Sequence, residues 1–315
     1  MKKIVLTLSL SLSASGLYAQ EAPVVFKDTI AKDHTLSDAQ AEKIEAAVEE
    51  EKNWTFKGKQ NLNLSQSSST QNWASGSVNN QGLAGNIDYE LNYKKDKAIW
   101  DNRLIAGYGL IKNKGQKEQK STDFITLTST YGYQIKDKWY ASANGTFVSQ
   151  FTKGFNFANS PETLVSDWLS PGYITFGLGV DYKPQDNLSF FFHPLTAKIT
   201  YVQSQSVKDA GNLYGLKNAQ DNLRAEFGLA AGGRYKVQLA KNITFDNTLN
   251  LFANYATLPK VDLLYTGIID MKINEFISSQ LILNAVYDED QSSEFQFRQG
   301  LGVGLTYGFG QEPKK

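Results

Sequence analysis

Leu83-Ala84-Gly85-Asn86-Ile87-Asp88-Tyr89-Glu90-Leu91-Asn92-Tyr93-Lys94 reads as an alternation. Its odd positions are apolar, aromatic or glycine, and its even positions from Asn86 onward are polar or charged. Successive side chains of an extended chain point to opposite faces, so a period of two predicts a strand with one apolar and one polar face. An amphipathic helix would instead repeat its apolar residues at three and four. The pattern returns at Ala225–Leu239, where Phe227, Leu229, Ala231, Tyr235 and Val237 oppose Glu226, Arg234, Lys236 and Gln238. It returns again where Phe295, Phe297, Leu301, Val303, Leu305, Tyr307 and Phe309 oppose Gln296, Arg298, Gly300, Gly302, Gly304 and Thr306.

About twelve such segments fill the chain from Trp54 to Phe309, each long enough to cross a bilayer as a tilted strand. They fall at Trp54–Ser65, Gly82–Tyr93, Ala98–Ile111, Asp123–Ile135, Trp139–Phe151 and Gly172–Tyr182. The second half follows at Leu188–Val202, Arg224–Leu239, Ile243–Tyr255, Val261–Ile273, Ile277–Tyr287 and Glu294–Phe309. Pro194 interrupts the alternation in the seventh, because proline donates nothing to a ladder. Tight turns such as Lys95-Asp96, Lys136-Asp137 and Ala240-Lys241 alternate with longer polar connections at Gln66–Gln81, Lys112–Thr122, Thr152–Pro171 and Gln203–Leu223. Short turns on one rim and long loops on the other are the pattern of a transmembrane barrel. Outward-phase aromatics gather at both strand ends: Trp54, Tyr93, Trp100, Trp139, Tyr182 and Tyr307 at one, Tyr108, Tyr201, Tyr255 and Phe295 at the other. Two girdles around an apolar band match the two headgroup regions of a bilayer.

The fold expected is therefore all-β: an antiparallel transmembrane up-and-down β-barrel of about twelve strands, with a short helical or disordered N-terminal periplasmic arm. Residues 1–19 read as a secretory signal peptide, with Lys2 and Lys3 before the apolar run Ile4–Leu10 and Ala19 at the cut. Residues 20–53 form the arm, 54–309 the barrel, and 310–315 a polar tail. An even strand count puts both termini on the short-turn, periplasmic side of the outer membrane.

Composition narrows the chemistry. The chain of 315 residues has no cysteine, which removes disulfides, thiol nucleophiles and thiolate metal sites. It has two histidines, His34 and His193, and 32 basic residues balance 32 acidic ones, so no net field attracts nucleic acid. His193 stands in no nucleophile motif and reads as a structural or interfacial residue. No catalytic, cofactor-binding or metal residue can be singled out, and the chain is read as a non-enzyme without a cofactor. Residues of the polar phase are the candidate lumen lining: Lys59, Asp88, Glu90, Lys198, Glu226, Arg234, Asp246, Asp270 and Arg298.

Asn63-Leu64-Ser65-Gln66-Ser67-Ser68, Asn72-Trp73-Ala74-Ser75-Gly76, Asn92-Tyr93-Lys94-Lys95 and Trp100-Asp101-Asn102 carry a resemblance. Tyr131-Gly132-Tyr133, Gln150-Phe151-Thr152-Lys153-Gly154-Phe155, Gly177-Leu178-Gly179, Asp181-Tyr182-Lys183-Pro184 and Pro194-Leu195-Thr196 extend it. Together they resemble a family of Gram-negative outer-membrane barrels, found mainly in Bacteroidota and catalogued only as a domain of unknown function (3078 in that series). The resemblance implies an outer-membrane location and no established activity. The tail Gly310–Lys315 departs from barrels that end on the aromatic itself.

Three functions stand open on this reading. A passive channel for small polar solutes leads, because a polar lumen of mixed charge can pass them. A structural or interaction protein using its extracellular loops is the alternative, and an outer-membrane hydrolase comes third. The partners expected are outer-membrane lipid, the barrel-assembly machinery during insertion and a small polar solute, with no nucleic acid.

Overall fold

The computed structural model describes residues 53–68, 79–157, 161–290 and 292–310. The signal peptide, the arm up to residue 52 and the tail from residue 311 lie outside the described residues.

Among the described residues, fourteen strands run in chain order: β1 (Trp54–Ser67), β2 (Asn80–Lys95), β3 (Ala98–Asn113), β4 (Gln119–Lys136), β5 (Trp139–Ser149), β6 (Gly154–Asn156) and β7 (Thr163–Ser166). Then come β8 (Gly172–Gln185), β9 (Leu188–Tyr201), β10 (Leu223–Ala240), β11 (Ile243–Asn254), β12 (Asp262–Lys272), β13 (Ile277–Asp288) and β14 (Ser292–Phe309). All but β6 and β7 join one closed antiparallel barrel, in the order β1-β2-β3-β4-β5-β8-β9-β10-β11-β12-β13-β14. β1 closes on β14 in a register running from Gly58 opposite Phe309 to Leu64 opposite Val303. Closure removes the two edges that an open sheet would expose. From Thr55 onward the barrel belongs to one compact unit.

Both ends of the barrel chain reach the same rim, which also carries the tight turns. Asp96 and Asp137 take positive φ there, at 51° and 40°. Aspartate is among the few residues other than glycine that enter this region readily, and it makes two-residue hairpins possible.

Two long connections are built differently from the polar loops expected. Residues 152–171 contain the β6–β7 hairpin, and residues 202–222 contain a short helix, α1 (Gln205–Asp209). Val202, Val207 and Leu216 are buried together there, with Leu164, Leu213 and Tyr214 packed against them. This apolar cluster gives the loops a small core of their own. Tyr214 donates to the Val165 carbonyl at 2.5 Å and Asn212 to the Leu164 carbonyl at 3.0 Å, so the two loops are tied together. Burial pushes the Tyr214 phenol up to about 12, so it stays protonated as a donor.

Pro194 sits in a β-bulge. Phe192 pairs with Ala231 and Thr196 with Gly228, so β9 carries one residue more than β10 across that interval. The extra residue resets the alternation: Phe190, Phe192 and Leu195 are exposed, while His193 and Thr196 are both buried.

The two faces of the wall differ as the alternation requires. Outward side chains include Leu62, Leu64, Leu83, Phe176, Phe227, Leu301, Val303 and Leu305, all exposed, with Leu64 and Leu301 at 68% and 69%. Burying one such side chain is worth about 1.5–3 kcal/mol, so a water-soluble barrel would not hold so many of them outward. Aromatics flank this belt at the short-turn rim, where Trp139 stacks on Tyr182 at 4.6 Å and Phe56 meets Phe309 at 4.9 Å.

Candidate functional site

The inward face is crossed by ion pairs. On β2 and β3, Arg103 forks onto Asp88 through Nε and Nη2 at 2.8 and 2.7 Å. On β10 and β11, Arg234 forks onto Asp246 at 2.9 and 2.5 Å. The two groups then meet: Arg234 Nη2 donates to Glu90 at 2.8 Å, and Arg103 Nη2 to Asp246 at 3.2 Å. β2 and β10 are six steps apart in a ring of twelve, and so are β3 and β11. These contacts therefore join diametrically opposed walls. Lys57 reaches Glu90 at 3.1 Å and completes the set. Three cations stand against three carboxylates, so the group carries no net charge.

More ties surround this one. Lys59 pairs with Asp270 at 2.5 Å, and Gln280 also donates to Asp270, at 2.9 Å. Lys183 on β8 binds Asp101 on β3. Towards the long-loop rim, Lys198 bonds Asp262 at 2.6 Å and Asp288 at 3.2 Å, with its ammonium 5.3 Å from the centre of the Phe252 ring. Arg224 joins Glu226 at 3.0 Å to Asp290 at 2.5 Å. Of the nine residues that the polar phase picked out, eight are thus ion-paired within the barrel. Arg298 is the exception; it contacts the Ser121 carbonyl and, at 2.9 Å, the Thr122 hydroxyl.

From the sequence His193 reads as a structural or interfacial residue, and the structure gives it two polar neighbours. Ser142 on β5 donates to Asp181 on β8 at 2.6 Å, and His193 Nε2 lies 3.0 Å from both. The bulge at Pro194 aims the imidazole inward. A general-base triad places the serine on one ring nitrogen and the carboxylate on the other. Here one nitrogen serves both, and all three residues are buried, His193 at 2% exposure. The trio is a closed triangle of hydrogen bonds. Ser142 and Asp181 carried no sequence signal beyond their inward phase. The same phase would have added Arg103, which faces inward from β3 beside Asp101.

Among the described residues, no group of three or more His, Asp or Glu side chains is arranged to hold a metal ion, and no helix is long and apolar enough to cross a membrane.

A closed antiparallel barrel, apolar outside and ion-paired within, defines a membrane-spanning β-barrel. Residues 64–155 match a family described as "Protein of unknown function (DUF3078)". The match covers β1 to β6 in part, a narrower span than the Trp54–Phe309 resemblance read from the sequence. No curated protein matches the chain. Among solved structures, the chain is similar to the translocator domain of the autotransporter NalP from Neisseria meningitidis, at 11% identity and TM-score 0.34, over 94% of this chain and 97% of that one. It is also similar to an outer membrane channel from Pseudomonas putida F1, at 10% identity and TM-score 0.34, over 81% and 94%. The beta domain of the Bordetella autotransporter BrkA follows at 7% and 0.26, over 81% and 99%. At such scores the fold assignment rests on the chain's own strands and faces.

Proposed function

We propose that the chain is an outer-membrane barrel whose own side chains seal its lumen, and that it acts through its long-loop face rather than as a passive channel. The apolar belt, the aromatic rims and the export signal read at residues 1–19 support the location, with both termini and the tight turns in the periplasm. The ion pairs from Arg103 and Arg234 to the opposite wall carry the functional reading. A solute moving along the axis would have to part charges that are shielded from water, and separating such pairs leaves uncompensated charge. The apolar cluster of Val202, Val207 and Leu216 supports the second half, since ordering a loop costs conformational entropy that an idle connection need not bear. The hydrogen-bond triangle at His193 gives no reason to assign a reaction.

Conduction through a gate is the second reading. It is favoured by open space beside Gly300, where an added β-carbon would meet nothing within 4 Å.

Planar-bilayer recording tests both. Folded, heat-modifiable wild-type protein is expected to give no stepwise current. A variant with Glu90, Arg103, Arg234 and Asp246 all changed to serine is expected to conduct. Stable steps from the wild type would reject the sealed lumen and restore the passive channel.

A further inference from the structure

Four arginines are present in the chain, and three of them meet at least two carboxylates each: Arg103, Arg224 and Arg234. Arg298 meets none among the described residues. Its guanidinium instead borders a cavity of about 180 Å³ near the long-loop rim, together with Lys120, Thr122, Asp123, Gln150 and Ser166. Asp123 is already occupied. It accepts from Lys120 at 2.7 Å, from the Phe151 and Thr152 amides at 2.7 and 3.0 Å, and from the Thr152 hydroxyl at 3.1 Å. Its side chain is 1% exposed. Two cations therefore face one screened carboxylate, leaving one positive charge at the cavity. Lys120 also donates to the Thr152 carbonyl at 2.8 Å, which uses two of the three donors an ammonium carries. Gly154 keeps the space open: a β-carbon there would lie 2.4 Å from Ser166 Oγ and 3.2 Å from Lys120 Nζ.

We infer that this cavity binds the phosphate or sulfate group of a small soluble molecule. Guanidinium, ammonium and hydroxyl donors converge on it from β4, β7 and β14, while the Gln150 amide beside them already donates to the Asp167 and Pro171 carbonyls, and charge-assisted bonds of this kind are the strong ones. A tetrahedral oxyanion can accept from several directions at once. The volume is below the ~300 Å³ at which pockets begin to enclose drug-sized ligands, so the ligand is little larger than its charged group. Arg298 belongs to the inward phase of β14 and reaches the Thr122 hydroxyl on the inward phase of β4, four strands around the ring, so its guanidinium is approached from the lumen, by a dissolved anion and not a lipid headgroup. Binding does not depend on whether the lumen conducts.

Calorimetric titration of the folded full-length barrel in neutral detergent with inorganic phosphate tests this, with phosphatidylglycerol vesicles as a parallel arm. Saturable phosphate binding is expected, weakened at least ten-fold by Arg298→Gln and likewise by Gly154→Ala, and unchanged by Lys217→Gln on an exposed loop. Heat-modifiable migration shows that each variant is folded, and Gly154→Ala fills space beside Ser166 and Lys120 without removing a charge. Absence of saturable binding to the wild type, wild-type affinity in either cavity variant, or binding to the vesicles alone would overturn the proposal.

Discussion

Arg234 bonds both walls of the barrel at once, and its loss would expose what the interior ties contribute. Removing one partner of a shielded charge cluster leaves the others uncompensated, at about 3 kcal/mol. Arg234→Met is therefore expected to lower the urea midpoint of the folded, heat-modifiable form by that energy. Adding Glu90→Gln and Asp246→Asn to the same chain should return much of it, because the stranded carboxylates are then neutral. Asp246 and Glu90 have side chains only 9% and 11% exposed, so ionic strength acts on them weakly. Raising salt from 0.1 to about 1 M should leave the wild-type midpoint nearly unchanged, in contrast to a surface network. A large salt-induced drop would mean that water reaches the cluster freely.

At the scale of the strand, lipid and lumen are separated by one residue. Leu251 and Val303 face outward, whereas Thr244 lies inward opposite Asp270. Leu251→Arg or Val303→Arg is expected to cost about 2–4 kcal/mol of folding stability. Thr244→Arg, with a carboxylate across the ladder, should cost far less. Refolding yields into lipid vesicles would check the difference, and equal penalties would undo the register. This alternation was legible in the sequence because it is a local property: twelve strands, their turns and their faces follow from Leu83 to Tyr93 and its counterparts. Ends moved where polar residues carry the ladder beyond the apolar pattern, as in β4, which begins at Gln119 where alternation predicted Asp123. The β6–β7 hairpin and α1 escaped notice because their apolar partners, Leu164 and Val207, lie far apart in sequence and meet only between folded loops. At Pro194 the break in pattern was visible, but not that it would turn His193 and Thr196 to the same side.

For the whole molecule, the prediction concerns which rim faces out. Lys217 lies in the connection between β9 and β10, and Lys241 in the tight turn between β10 and β11. A cysteine at Lys217 should react with an impermeant maleimide on intact cells, and one at Lys241 only after the membrane is opened. The reverse labelling would turn the barrel over. Cross-lumen partners were beyond sequence reading for a reason of topology. Glu90 and Arg234 are separated by 144 residues and become neighbours only when the ring closes and fixes its diameter. Those same ties have a mechanical consequence. An unbraced ring of strands can flex into an oval under lateral pressure, with little resistance beyond its hydrogen bonds. Here two arginines act as spokes fastened to opposite parts of the rim, so flattening along that diameter or stretching across it must strain charged contacts at 2.8 and 3.2 Å. The barrel should therefore hold its cross-section when the surrounding bilayer is compressed or thinned, and a pair of spin labels on β2 and β10 should report one narrow distance across lipids of different chain length.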